Sequence, residues 1–158
     1  RHRAPSDTVL IERMQDREFK NNDFTKYILD RIEQDHYMKS SGKTVSDRDI
    51  VDIEDIAPQR SFSAEKYSPW KQYLSCNEEE FDEYKKRIGN LTLLENSVNR
   101  ALGDDPYEIK RQHYLNETEF KMSIAVGEEY DEWRLPQIKQ RSEEMAKITA
   151  EIWNIDNV

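Results

Sequence analysis

Between Val51 and Asp55 the chain alternates apolar and acidic residues, Val51 and Ile53 against Asp52 and Glu54, which is the period-two pattern of a half-buried strand. Pro58, in "VDIEDIAPQ", cannot continue a ladder, so the strand is expected to stop near Asp55. A helical period dominates elsewhere. "NNDFTKYILDRIEQDHYMK" offers Asn22 or Asp23 as cap and sets Tyr27, Ile28, Ile32 and Tyr37 on one core-facing side. "SSGKTVSDRD" reads as a loop delivering the chain to the strand, and Trp70, Tyr73 and Leu74 of "SPWKQYL" read as a helical plug into the core. "NEEEFDEYKKRIGN" begins with Asn77 as cap and glutamates in its first turn. It ends in Lys85, Lys86 and Arg87 before Gly89, an order of charge that suits the helix dipole and a glycine that suits a C-terminal cap.

A second strand-like run, Asn90 to Leu94 in "NLTLL", leads into a short helix in "ENSVNRAL", giving the order strand, insertion, strand, helix. "DDPYEIKRQHYL" opens another helix, with Asp104 or Asp105 as cap and Pro106 in the first turn. "LPQIKQRSEEMAKITAEIW" repeats that device with Pro136 and turns Ile138, Met145, Ile148 and Ile152 toward a core. The acidic clusters "NEEEFDE" and "GEEYDEW" read as solvated faces and helix starts. There is no internal repeat.

Composition narrows the class. A length of 158 residues suits one domain, and scarce Gly and Pro beside runs rich in Glu, Lys, Ile and Leu argue for a mostly helical α+β fold. Only 35% of residues are apolar and 36% are charged, yet the Trp, Tyr and Phe supply large pieces for a core, which argues against global disorder. A net charge of -9 disfavours a free-standing nonspecific nucleic-acid binder, because phosphate contact depends on Lys and Arg displacing counterions. Cys76 is the only cysteine, which excludes an internal disulfide and a cysteine-rich zinc site and suits a reducing, cytoplasmic setting. No apolar run approaches a membrane span or a signal-peptide core. The start "RHRAPSD", without Met, suggests a fragment of something longer or a processed product.

Three pieces carry the chemistry: "IEDIAPQ", "IGNLTLL" and "ENSVNR" put a carboxylate at a strand end, an Asn at the start of the next strand and an Asn on the helix that follows. Carboxylate and amide oxygens are suitable ligands for a hard divalent cation. This order resembles the ββα-metal motif of HNH nucleases, in which an acid binds the metal and the next residue, His, is the general base. There an Asn before the second strand orients the His, and a helix Asn or His completes the metal site. The resemblance puts Glu54 and Asn99 on the metal, Asn90 in the orienting role and Asp55 where the histidine stands. An aspartate, with an ordinary pKa of about 3.9 against about 6.5, is the weaker base. Asp55 is then an engineered replacement, a natural degeneration, or a working carboxylate base with a raised pKa. His36 and His113 do not fit the motif position.

"YILDRIE", "IEDIAPQ", "IGNLTLLENSVN", "YEIKRQHY" and "IKQRSEEMAKITAEIW" together resemble the C-terminal domain of GmrSD-type restriction endonucleases, over roughly residues 20 to 153. That resemblance implies a single domain over 1–158, the C-terminal part of a longer protein, with an HNH-like core at about 48–103 and flanking helices at about 5–38 and 105–154. It also implies a DNA endonuclease that nicks or cleaves modified or foreign DNA in anti-phage defence, one Mg2+ or Mn2+ and no zinc, and a nucleotide-dependent N-terminal module. With Asp55 in place of the base the activity is expected to be absent or impaired. The alternatives are a degenerate DNA-binding, autoinhibitory or assembly domain, or a pure protein-interaction domain, which the acidic balance favours. Sequence proximity to the motif makes Lys85, Lys86, Arg87, Arg100, Lys110 and Arg111 the candidate phosphate contacts, and Arg141 matches a recurrent basic position of the last helix.

Overall fold

The computed structural model describes residues 7–38, 51–63 and 69–153. The expected loop at 40–49 and most of the "RHRAPSD" start lie outside the described residues. Among the described residues the order is α1 (Asp7–Asp16), α2 (Asp23–Ile32) with a π-helical turn at Glu33–Tyr37, β1 (Val51–Asp55), α3 (Pro69–Tyr73), α4 (Glu78–Tyr84), and a 3-10 turn at Ile88–Asn90. Then follow β2 (Leu91–Glu95), α5 (Asn96–Leu102), α6 (Tyr107–Asn116), α7 (Lys121–Glu129) and α8 (Leu135–Ile152). The fold is α+β and mostly helical, as the sequence implies. None of these helices is long and apolar enough to cross a membrane.

β1 and β2 form one antiparallel pair, with Val51 opposite Glu95 and Asp55 opposite Leu91. Val51, Ile53, Leu91 and Leu93 pack into one apolar cluster with residues of α1, α2 and α8. Leu94 and Ile56 belong to a second cluster with Trp70, Phe81, Tyr114 and Trp133. α8 serves both, through Met145, Ala146 and Ile148 in the first and Ile138 in the second.

Local chemistry sets most of the element ends. Asn22, through its Oδ1, accepts from Thr25 N, and Asn77 and Glu80 make a reciprocal capping box on α4. α5 ends on Gly103 at φ 48°, in the left-handed region glycine favours.

Several expectations are corrected. Tyr27 is half exposed at 50%, because Ile28, Leu29 and Ile32 already fill the buried face of α2. α4 stops at Tyr84 with Lys85 as its cap, so Gly89 is not a helix cap. Gly89 lies in the 3-10 turn against α8, where a Cβ would come within 2.3 Å of the Ile138 carbonyl and 2.4 Å of Ser142 Oγ. Pro106 itself, rather than Asp104 or Asp105, precedes the first residue of α6 as its cap position. "GEEYDEW" is the end of α7 and the link to α8, and its Tyr130 and Trp133 are buried.

α7 receives its N-terminal carboxylate from a distance. Phe120, at its cap position, supplies no side-chain bond, and both Glu33 carboxylate oxygens lie 3.2 Å from the Met122 amide that donates to them. Burial pushes the Glu33 carboxyl up to about 7, against the opposing backbone bonds from Met122 and Lys121. Its folded pKa exceeds its unfolded value, so the stability it contributes is complete below about pH 4.5 and is lost as pH rises through 7. Urea melts are expected to show a loss of about 3 kcal/mol from this group between acid and alkaline pH. Glu33→Gln should flatten that dependence. An unchanged pH profile in the variant would exclude Glu33 as its source.

Candidate active site

The end of β1, Asn99 of α5 with the turn that follows that helix, and Lys110 in the first half of α6 meet at a groove of about 410 Å3. Its lining includes Glu54, Asp55, Gln59, Arg60, Asn99, Asp104 and Lys110. Glu54 and Asn99, expected as metal ligands, and Asp55, at the expected base position, are therefore brought together. Asn90 stands behind the groove.

Glu54 is 5% exposed, although its alternation with Ile53 puts it on the polar side of β1. α6 covers it there. Glu54 Oε1 accepts from Lys110 Nζ at 2.6 Å and from the Tyr114 hydroxyl at 3.2 Å. Lys110 Nζ also donates to the carbonyls of Asp55 at 3.0 Å and Ile56 at 3.1 Å, so the ammonium's donors are taken by oxygens of the strand end. Burial raises the Glu54 pKa, and the charge and hydrogen bond of Lys110 oppose that rise. Burial raises Asp55 as well, against a hydrogen bond from Gln59 and the charge of Lys110.

Asn90 is fully buried and spends its amide on the turn that follows Asp55. Its Oδ1 accepts from Ala57 N at 2.9 Å and Trp133 Nε1 at 3.0 Å, while Nδ2 donates to the carbonyls of Ala57 and Lys85, each at 2.9 Å. Its own carbonyl takes Ile56 N at 2.9 Å. Asn90 thus fixes the backbone leaving Asp55. Behind it, Arg141 Nη1 donates to the carbonyls of Gly89 at 2.8 Å and Leu91 at 2.6 Å, and Ser142 Oγ accepts Gly89 N at 3.0 Å. Arg141 is a brace for the turn that carries Asn90.

The oxygens left for a cation can be identified. Among the described residues, Glu54 Oε2, the second oxygen of Asp55 and Asn99 Oδ1 take no hydrogen bond, and they are not among the buried unpartnered atoms found there, Arg31 Nε, Tyr130 Oη and Arg141 Nη2. All three residues line the groove. The carboxylate oxygen of Glu54 and the amide oxygen of Asn99 are hard donors that suit Mg2+ or Mn2+ completed by water, so the residues fit the expected group. No cluster of at least three His, Cys, Asp or Glu side chains able to hold a metal occurs among the described residues.

The basic candidates divide. Lys110, expected to meet phosphate, is 1% exposed and closed into the Glu54 pair, so that expectation is corrected: its ammonium serves the strand end. Arg111 turns the other way, donating through Nε to Gly127 O at 2.8 Å and pairing with Asp131 at 3.0 Å. Lys85 pairs with Asp82 at 2.7 Å, and Arg87 lies over the Tyr84 ring at 4.2 Å. Lys85, Lys86 and Arg87 do not line the groove. Arg100 is exposed on α5 and donates to Asn96 Oδ1. The sequence reading missed Arg60, whose side chain is 83% exposed at the groove rim, 4.0 Å from Asp104. It also missed Asp52, Gln59 and Tyr114. The place of Gln59 and Arg60 directly after the strand-ending Pro58 was the available signal.

Comparison with curated proteins and with solved structures gave no match. The family described as GmrSD restriction endonucleases, C-terminal domain, matches residues 4–148, nearly the whole chain, and this protein belongs to that family.

Proposed function

We propose that this domain is the DNA-hydrolysing part of a restriction system, of the HNH type, with a single Mg2+ or Mn2+, and that Asp55 leaves it impaired. The carrying observation is convergence: a strand-end carboxylate, the residue after it and an Asn of the following helix face one groove. In that reading Glu54 Oε2 and Asn99 Oδ1 hold the cation. When bound, the cation offsets charge on the scissile phosphate and stabilises the leaving oxygen.

The chain's own residues do the rest. Asn90 holds the Asp55–Ala57 backbone at the groove floor, and Lys110 anchors the same segment from α6. Asp55 stands where water must lose its proton. Its raised pKa improves it as a base, but its charge opposes an incoming phosphate. Arg60, extended over the rim, is the phosphate contact favoured by exposure and place. The substrate in this reading is modified or foreign DNA, delivered with the help of a nucleotide-dependent module in the parent protein. A degenerate binding or assembly domain is the second reading, favoured by the neutralised Glu54.

Titration with Mn2+, followed by NMR of the labelled chain, tests the cation site. Weak binding is expected, with paramagnetic broadening centred on Asn99 and Glu54, because most of the coordination falls to water or phosphate. Broadening centred elsewhere removes the site and leaves the second reading.

A further inference from the structure

Asp52 lies one turn of the pleat before Glu54 on β1, is half-buried, and faces α5. Its Oδ2 accepts two side-chain amides, Asn96 Nδ2 at 2.8 Å and Asn99 Nδ2 at 3.1 Å. Asn96 and Asn99 are three residues apart on one face of α5, so a single carboxylate reaches both. At the far end of the row, Arg100 Nη2 donates to Asn96 Oδ1.

The direction of every bond in this row is fixed by its ends. A guanidinium only donates and an ionised carboxylate only accepts. Asn96 must therefore give its oxygen to Arg100 and its nitrogen to Asp52. Asn99 must likewise turn Nδ2 to Asp52, because a flipped amide would set its oxygen against the Asp52 oxygen. The oxygen of Asn99 is then left facing away from Asp52, and Asn99 lines the groove with Glu54 and Asp55. An asparagine amide, whose two ends are nearly the same size, is otherwise free to present either a donor or an acceptor to a ligand.

We propose that Asp52 is a positioning residue for the cation site: from the strand it holds the Asn99 amide in the one orientation that offers an oxygen to a divalent cation. The proposal rests on the reading of Glu54 and Asn99 as the cation's ligands. It gives Asp52 a task the strand pattern does not suggest, since a half-buried strand carboxylate is ordinarily a solvated charge.

The test uses the 158-residue chain, Mn2+ as the probe, and the variants Asp52→Ala, Asp52→Asn and Asn96→Ala, with NMR broadening at Asn99 and the Mn2+ dissociation constant as readouts. Loss of an outer partner of a metal ligand typically costs 10- to 100-fold in affinity, so Asp52→Ala is expected to weaken Mn2+ binding by about that factor. Asp52→Asn, whose amide oxygen still accepts, should retain most of the affinity. Asn96→Ala, which removes a tether but leaves the Asp52 to Asn99 bond, should retain it too.

Equal affinity in a folded Asp52→Ala variant overturns the positioning role while leaving the cation site intact. If Asp52→Ala does not fold, Asn96→Ala decides: a loss of affinity there of tenfold or more shows that packing of α5, and not orientation of Asn99, is what matters. Absence of Mn2+ broadening at the groove in the unaltered chain overturns both the cation-site reading and the inference built on it.

Discussion

Asp55→His is expected to raise metal-dependent nicking of plasmid DNA by about 10²- to 10⁴-fold, the usual contribution of a positioned general base. In the proposed reading the position is prepared for an imidazole: the backbone after Asp55 is fixed by Asn90 and Lys110, and Gln59 Nε2 donates to Asp55 Oδ1 at 3.0 Å. The substitution also removes a carboxylate from a groove where Glu54, Asp55 and Asp104 face the cations Lys110 and Arg60. Asn99→Ala in the same background should abolish the gain, since it removes a cation ligand and leaves the base. The assay belongs both with the chain alone and with the parent protein and nucleotide of the proposed reading. An inert histidine variant, with metal bound and DNA engaged, would mark the motif as a structural relic and leave the binding or assembly reading.

Lys110→Met is expected to destabilise the fold by about 3–5 kcal/mol near neutral pH, because it leaves the Glu54 carboxylate buried without its counter-charge. The sign of the pH dependence follows from the direction of the Glu54 shift. Without Lys110, its largest lowering influence, the folded pKa of Glu54 rises further. The deficit should therefore shrink as pH falls through that pKa and Glu54 is protonated in the folded state. Adding Glu54→Gln should recover a large part of the loss, the remainder being the bonds to the Asp55 and Ile56 carbonyls. Urea unfolding of the four proteins of this cycle gives the coupling directly. A Lys110→Met variant within about 1 kcal/mol of the unaltered chain would show that the pair does not hold the strand end.

What the sequence revealed was what local chemistry decides. The strand at Val51–Asp55, the Asn22 and Asn77 caps, Pro136 in the first turn of α8 and the core positions Ile138, Met145 and Ile148 all follow from spacing and backbone preference. Glu54 was legible as a site residue but not as a buried one. Alternation puts Asp52 and Glu54 on one polar face, and only the arrival of α6, 56 residues along the chain from Glu54 to Lys110, separates a buried carboxylate from a half-buried one. Lys110 and Arg111 show the same limit. Neighbours in sequence, they point to Glu54 and to Gly127, a division set by the rotation between adjacent helix positions once α6 has docked. Gly89 looked like a helix cap because glycine serves both left-handed turns and close packing, and a sequence does not say which of these is in force.

The contact between Gly89 and α8 limits how this protein can be cut. Apart from Asn21, the residues that face the groove fall between 53 and 110, which invites excision of that span as a portable cassette, yet the turn carrying Asn90 is held in place by Arg141 and Ser142 and shaped against Ile138. Trp133, which shares Asn90 Oδ1, lies outside the span as well. An excised cassette would keep most of the groove residues and lose their scaffold. Swapping this domain between proteins, or trimming it for engineering, therefore has to carry α8 along, because its helical surface is the mould on which the turn carrying Asn90 is cast.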